Sequence, residues 1–442
     1  MSERAKSILA GKRVALRTLG CKLNQYDTEA MREQLLARGC RCVDFDAPAD
    51  IYIVNTCTVT SKADRDARRL LRQAKRRNPQ AVVVAIGCYP QVQREALAAL
   101  PEVDLILGNV EKQHVAHLLE RFLAGELSRC VVADVAAQRA FSDACVGRFA
   151  EHTRAFLKIQ EGCDSRCAYC TVPLARGPSR SRPLEEVARE VRRLVAAGHV
   201  EVVLIGIHLG LYGRDLRPPT ELAAAVEAAL SVPELKRLRL SSIEPTDFTP
   251  RLIQTIAQNQ PRLCRHLHIP LQSGDDEVLR EMGRPYTSAQ YAALVEELAR
   301  RVPEIAIGAD VIVGFPGESE EAFSRTYQLI ERLPLAYLHV FSYSPRPKTP
   351  AAQRGDSVRP DVKKRRSRAL LELSQKKRQR FMRSLVGTVQ QVLFERDRPG
   401  GAEGLTDNYV RVRVPGARGL QGRILPVRLV RAEEECCLGE LC

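Results

Sequence analysis

Short apolar runs alternate with longer amphipathic stretches along most of this chain. Val14–Leu19, Ile51–Asn55 and Ala81–Ile86 are rich in Val, Ile and Leu, and read as strands of a parallel sheet covered on both faces. A helical pattern follows each one, over Thr28–Arg38, Ala63–Arg77 and Gln91–Leu100. A fourth run, Val103–Leu107, leads into a helix over Glu111–Leu123. This order predicts an open parallel α/β domain. Periodicity is weak over Gly125–Thr153, and the domain boundary is set near Phe149. The alternation then resumes, with strands expected at Ala155–Ile159, Glu201–Ile205, Lys236–Leu240, Arg265–Ile269, Ile305–Val311 and Tyr337–Phe341. Helical stretches separate them. Six such units are too few for a closed eight-fold barrel and predict a partial (β/α)6 barrel of the TIM type with an open side wall. Asp361–Ser384 has the period of a helix. From Gly387 alternation and glycine turns take over, with strands at Thr388–Phe394, Tyr409–Val414 and Gly422–Val430, as in a small β-barrel. The expected fold class is α/β, in three domains at 1–148, 149–384 and 385–442.

Charge adds a partner. The 442 residues carry a formal net charge of +15, which points to a polyanion, most commonly nucleic acid. Helix Ala63–Arg77 holds Arg65, Arg68, Arg69, Arg72, Lys75, Arg76 and Arg77, which read either as a solvated face or as phosphate contacts. The Lys- and Arg-rich run of Asp361–Ser384 has the same two readings. The N-terminal MSERAKSILAGKR lacks the apolar core of a signal peptide, and no apolar run is long enough to span a membrane. A cytoplasmic setting is expected, where fourteen cysteines are better read as metal ligands or thiols than as disulfides.

The cysteines then organise the chemistry. Cys163, Cys167 and Cys170 form C-x3-C-x2-C after the first barrel strand. Three thiolates on one loop suit a 4Fe-4S cluster whose fourth iron stays open. Structural zinc, the competing reading, wants four closed ligands. The nearest other candidates, His152 and His199, fall outside the loop. Cys21, Cys57 and Cys88 each sit just past the carboxyl end of a strand, where parallel sheets bind ligands, so three thiols can converge in one crevice. Cys130, Cys145 and Cys264 have no ligand spacing. His208, His266 and His268 have none either and read as structural histidines. The tail cysteines Cys436, Cys437 and Cys442 lack a complete ligand set and read as an accidental or adventitious metal-binding tail.

C-x3-C-x2-C with Tyr169 before its last cysteine resembles the radical S-adenosylmethionine signature. ARGPSRSRP after the loop, with LGCKLNQYDTE, NTCTVT and GCYPQ upstream, narrows the resemblance to the methylthiotransferases. In that family the open iron chelates S-adenosylmethionine, whose reductive cleavage gives a 5'-deoxyadenosyl radical. The resemblance implies an auxiliary 4Fe-4S cluster on Cys21, Cys57 and Cys88, thought to carry the transferred sulfur. Asn24 and Gln25 fit either turn chemistry or a place beside that cluster. S-adenosylmethionine is expected to be both radical source and methyl donor, held by Tyr169, Glu244, Gln272, Ser273, Gly314 and Phe315. Arg180 or Arg182 is expected to pair with its carboxylate. The C-terminal barrel resembles the RNA-binding TRAM module.

The forms GCKLNQYDTE and ARGPSRSRP most resemble members that act on carbon 2 of N6-threonylcarbamoyladenosine at position 37 of tRNA, in the anticodon stem-loop. Isopentenyladenosine tRNA and an aspartate of a ribosomal protein are the alternative substrates. A non-catalytic iron–sulfur RNA-binding protein is the more distant alternative. A low-potential donor such as flavodoxin or ferredoxin is the implied reductant, and a monomer is the default.

Overall fold

The structure is a computed structural model and describes residues 7–141, 146–147, 149, 153–355 and 358–442. Cys145 and His152, named above, lie outside the described residues. The chain forms two compact units. One comprises Met1–Gly147, Gln160–Arg182 and Ser344–Ala352, the other Arg148–Ile159, Pro183–Tyr343 and Gln353–Cys442.

The first unit is built on a parallel sheet of β1 (Arg13–Thr18), β2 (Arg41–Val43), β3 (Ile51–Thr56), β4 (Val82–Gly87), β5 (Leu105–Leu107) and β6 (Cys130–Val131), in the order β2-β1-β3-β4-β5-β6. Side chains alternate across such a sheet. Tyr52, Val54, Val83 and Ala85 therefore face one way, onto Ala67, Leu70, Leu71 and Ala74 of α2 (Ser61–Arg77). Ile51, Ile53, Val84 and Ile86 face the other, onto Met31 and Leu35 of α1 (Lys22–Ala37). After α3 (Cys88–Ala98), Val115 and Leu119 of α4 (Val115–Leu123) complete that second core. Burial on both faces explains why these strands read as continuous apolar runs. The edge strands β2 and β6 were not expected; two or three residues are too few to show a period. Helix α1 also begins six residues before the expected Thr28, directly after Cys21.

The second unit holds six parallel strands in chain order. Arg154–Lys158, Glu201–Ile205 and Arg237–Leu240 form one sheet; His266–His268, Ala306–Val313 and Tyr337–Ser342 form another. The Leu238–Leu263 bridge and a Cys264 N–H to Leu238 O bond of 2.8 Å join the two into the expected partial barrel. A closed five-stranded barrel follows the helix Pro360–Ser384, in the order Val389–Arg398, Gly401–Thr406, Arg411–Pro415, Cys437–Leu441, Ile424–Ala432.

Two of those five strands correct the sequence reading. Gly401–Thr406 was not among the expected strands. At Gly404 a Cβ would stand 2.3 Å from the Leu393 carbonyl oxygen, so the close strand contact itself demands glycine. The tail is part of the barrel: Cys437–Leu441 closes it, with Cys437 buried in its core as a small apolar side chain.

Where this unit's barrels meet, the loop Thr406–Val410 enters the polar base of the partial barrel. Arg239, fully buried, pairs with Glu201 at 2.7 Å and donates to the Asp407 carbonyl at 2.9 Å. Asp407 accepts from Arg265 at 2.7 Å, and Tyr409 stacks on His266 with centroids 4.4 Å apart.

Candidate active site

In the first unit, the strand register sets the crevice. Thr18 of β1 pairs with Asn55 of β3, and Asn55 with Ile86 of β4, so three strands end at one level. Cys21, Cys57 and Cys88 follow these ends. The turns are locked to one another. Asn24 donates from Nδ2 to the carbonyls of Leu19 at 2.7 Å and Thr56 at 3.0 Å, the residues flanking the first two cysteine turns. Thr56 Oγ1 donates to Ile86 O at 2.8 Å and accepts from Tyr89 N–H at 3.2 Å, tying the Cys57 turn to the Cys88 turn. Gly20, at φ +96°, leaves no room for a side chain: its Cβ would meet Cys57 Sγ at 2.9 Å. Burial, reinforced by neighbouring Cys88 and Cys21, pushes the Cys57 thiol up to about 12. A thiol buried as Cys57 is ionises only where positive charge arrives with a ligand, which is the demand a metal cluster meets.

Behind this triad lies a buried charged group that the sequence reading did not single out. Arg176, at the end of α5 (Val172–Arg176), donates to Glu161 at 2.7 Å, Asp27 at 3.1 Å and Asn24 Oδ1 at 2.5 Å. Lys112 donates to the same Asp27 and Asn24, at 3.0 and 3.1 Å. Asn109 bridges Cys88 Sγ, at 3.4 Å, and the Ala175 carbonyl, at 2.6 Å. The signal in the sequence is the Arg of ARGP, a cation six residues after the last cysteine of the loop.

The second triad lies in the same unit. Cys163, Cys167 and Cys170 occupy a half-buried loop closed by a short antiparallel ladder, Gln160–Glu161 with Arg180–Ser181. Cys163 N–H donates to Gly177 O at 3.0 Å, and Cys170 N–H to Cys167 O at 3.0 Å. The amides of Ser165 and Val172 each donate to a cysteine sulfur, Cys163 and Cys170, at 3.4 Å. Ala351 N–H reaches Ala168 O at 2.9 Å, so the returning segment Ser344–Ala352 braces the loop.

The expected S-adenosylmethionine contacts divide between the units. Tyr169 is half-buried on the loop. Arg180 is buried and donates to the carbonyls of Pro178 and Arg176 at 2.8 and 3.1 Å; Arg182 is buried over the Phe141 ring. In the second unit, Glu244, Gln272, Ser273, Gly314 and Phe315 follow the carboxyl ends of the third, fourth and fifth barrel strands. Glu244 pairs with Arg284. Gln272 adopts φ +66° and bridges to Val311. Ser273 is fully buried against Thr326 at 3.2 Å. The Gly314 amide donates to Glu318 at 2.6 Å, and Phe315 is buried edge-on to Tyr343.

Other candidates find ordinary partners. His208 bonds Asp247 at 2.6 Å. His268 and His339 share the Asp310 carboxylate at 2.8 and 3.2 Å, and Tyr337 links His268 to His266. A charged residue inside the apolar run of Ala306–Val313 was the signal for this network. On α2, four of the cations are engaged by acids: Arg69 with Asp66, Arg72 with Glu102, Lys75 with Asp104 and Arg77 with Asp46. That favours the solvated-face reading for most of the helix.

Residues 13–108 match the family described as Uncharacterized protein family UPF0004, and residues 157–330 match the Radical SAM superfamily. The chain is 37% identical, over 95% of its length and 94% of the relative's, to the threonylcarbamoyladenosine tRNA methylthiotransferase MtaB of Bacillus subtilis. It belongs to the methylthiotransferase family. Another member, the tRNA-2-methylthio-N(6)-dimethylallyladenosine synthase of Moorella thermoacetica, is 35% identical over 98% of the chain and 99% of the relative. The fold of this methylthiotransferase is also that of the radical S-adenosylmethionine methyltransferase TsrM from Kitasatospora setae. That match has a TM-score of 0.56 at 17% identity and covers 77% of this chain and 74% of that one. Among the described residues no helix is long and apolar enough to cross a membrane.

Proposed function

We propose that this enzyme transfers a methylthio group to carbon 2 of N6-threonylcarbamoyladenosine at position 37 of tRNA. The observation that carries the reading is the pairing of two three-cysteine sets in one compact unit of a methylthiotransferase-family chain. An unactivated ring C–H offers no proton that a side chain can usefully remove, so the hard chemistry falls to cofactors. Each triad fits an iron–sulfur cluster by its donor set: three sulfurs, clustered around Cys57 in one case and amide-bonded in the other.

Cys163, Cys167 and Cys170 would hold one 4Fe-4S cluster, and Cys21, Cys57 and Cys88 a second. When bound, the first supplies the low-potential electron for S-adenosylmethionine cleavage and the second supplies the sulfur. The chain's own work is to hold and orient. Gly162 and Gly177 let the second loop fold back on itself. Asn24 and Thr56 fix the three turns of the first triad. Tyr169, Arg180, Arg182 and the strand-end residues Glu244, Gln272, Ser273, Gly314 and Phe315 are the proposed surroundings of S-adenosylmethionine. The net charge of +15 suits tRNA, and binding should weaken log-linearly with salt. Residues 1–148, 149–384 and 385–442 are assigned the auxiliary-cluster, radical and RNA-binding roles. A flavodoxin or ferredoxin is the proposed donor, in the cytoplasm.

The test is nucleoside mass spectrometry of tRNA from cells lacking their own enzyme and given this gene, beside Cys163→Ala and Cys57→Ala. Methylthiolation of N6-threonylcarbamoyladenosine by the wild type alone is expected. Methylthiolation of isopentenyladenosine instead would replace the substrate, and no change with both clusters present would turn the search to the ribosomal protein.

A further inference from the structure

Arg176 is 1% exposed, and its carboxylate partners account for only part of its guanidinium. Nη1 donates to Asp27 and Glu161 and Nη2 to Asn24, while Nε–H is buried with no hydrogen-bond partner among the described residues. A buried donor left unmade costs about 1–3 kcal/mol, so an orphan beside a ligand site implies an acceptor that arrives with the ligand. The place is defined by contact. Ala175, the preceding residue, packs on Cys88 and Val92. Asn109 joins Cys88 Sγ to the Ala175 carbonyl. Asn24, held by Arg176, in turn holds the turns before Cys21 and Cys57. Yet Arg176 lies six residues beyond Cys170, on the segment that carries the other triad.

We propose that Arg176 is a positioning residue for the sulfur-rich group held by Cys21, Cys57 and Cys88, with its Nε–H donating to a sulfur of that group. The inference rests on the reading that this triad holds an iron–sulfur cluster. A fixed cation and a hydrogen bond to sulfur stabilise the more negative, reduced state and raise the reduction potential. One side chain thereby sets the auxiliary cluster's potential while being anchored to the loop of the other. Lys112, the second buried cation, is already committed to Asp27 and Asn24 and cannot replace the planar donor.

The test uses the full chain with Cys163, Cys167 and Cys170 changed to Ala, so that only the first triad takes up iron on anaerobic reconstitution. Iron per chain, the electron paramagnetic resonance spectrum and the midpoint potential are compared for Arg176, Arg176→Lys and Arg176→Gln. Both variants are expected to keep iron and to show an altered spectrum. Their reduced-to-oxidised ratio at fixed potential should fall about tenfold, which is about 59 mV for one electron. An unchanged potential and spectrum in both variants would overturn the proposal. Loss of iron from both, with the fold intact by circular dichroism, would overturn it too, because the role would then be that of a scaffold for Asn24 and Asp27. Absence of iron in the Arg176 parent would instead remove the cluster reading, and the proposal with it.

Discussion

Gly162 immediately precedes the second triad and has the least room for a side chain of the described glycines. Its φ is +76°, and a Cβ would lie 1.9 Å from the Pro178 carbonyl oxygen and 2.7 Å from that of Gly177. A C–H group meets a carbonyl oxygen at about 3.3 Å in favourable contacts. Gly162→Ala therefore forces two backbone segments apart by more than an ångström. The Cys163 N–H to Gly177 O bond of 3.0 Å joins those same segments and is lost first. A non-glycine residue in the left-handed region costs about 1–2 kcal/mol, and the lost backbone bond about 1 kcal/mol. The expected destabilisation is about 2–3 kcal/mol, read as a lower urea midpoint at unchanged slope. The functional loss should be larger, because ligands must be held to within about 0.5 Å. In a chain with Cys21, Cys57 and Cys88 changed to Ala, Gly162→Ala should reconstitute with clearly less iron than Gly162. Equal urea midpoints and equal iron would refute the reasoning.

Asp407→Asn should loosen the seat of the C-terminal barrel, since Asp407 is 2% exposed and faces Arg265. Removing the charge from a buried pair while keeping its shape should cost about 1–3 kcal/mol at neutral pH by chemical denaturation. Burial would raise the Asp407 carboxyl, but the hydrogen bond and charge of Arg265 outweigh it and hold it below its usual value. Its stabilisation is thus present above the unfolded carboxyl's pKa of about 3.9 and lost as pH falls through the lower folded value, so the gap between wild type and Asp407→Asn should close only in acid. A gap independent of pH would contradict the assignment. Gly308→Ala should overpack the partial barrel by about 1–3 kcal/mol, because the new Cβ would stand 2.2 Å from Tyr337 Cζ. Tyr337→Leu removes that ring, so the double variant should be less destabilised than the sum of the singles; strict additivity would count against the clash.

What could be read from the chain was set by periodicity and by local spacing. Ile51–Thr56 and Val82–Gly87 were legible because both faces are buried, which makes the run apolar without interruption. The placement of Cys21, Cys57 and Cys88 was legible because positions just past a strand's carboxyl end follow from the strand ends alone. The C-terminal barrel was half legible: Gly401–Thr406 is glycine-rich for a packing reason, and Cys437–Leu441 is a strand only because Ile424–Ala432 and Arg411–Pro415 pair with it. Contacts between distant segments left no local trace. Nothing in the spacing of Asp27, Lys112, Glu161 and Arg176 announces that they share one buried site.

That site also explains why the two triads fall in one unit although a strand of the second unit, Arg154–Lys158, separates them in the chain. A loop of half-buried cysteines has little apolar area with which to fix its own position. The segment after it supplies the fixing instead: Ala175 enters the Cys88 contact, Arg176 enters the Asp27–Asn24–Glu161 group, and Arg346 of the returning segment pairs with buried Asp64 at 2.5 Å and donates to Thr58 at 2.8 Å. Breaking a buried pair by removing one partner costs about 3–5 kcal/mol. Two such pairs tie these segments to the domain that bears the first triad: Arg176 to Asp27, on the helix that follows Cys21, and Arg346 to Asp64, on the helix that follows Cys57. On the proposed division between a radical source and a sulfur source, a fixed spacing between the two triads is the quantity to control, and Arg176 and Arg346 are the buried side chains that tie their segments together.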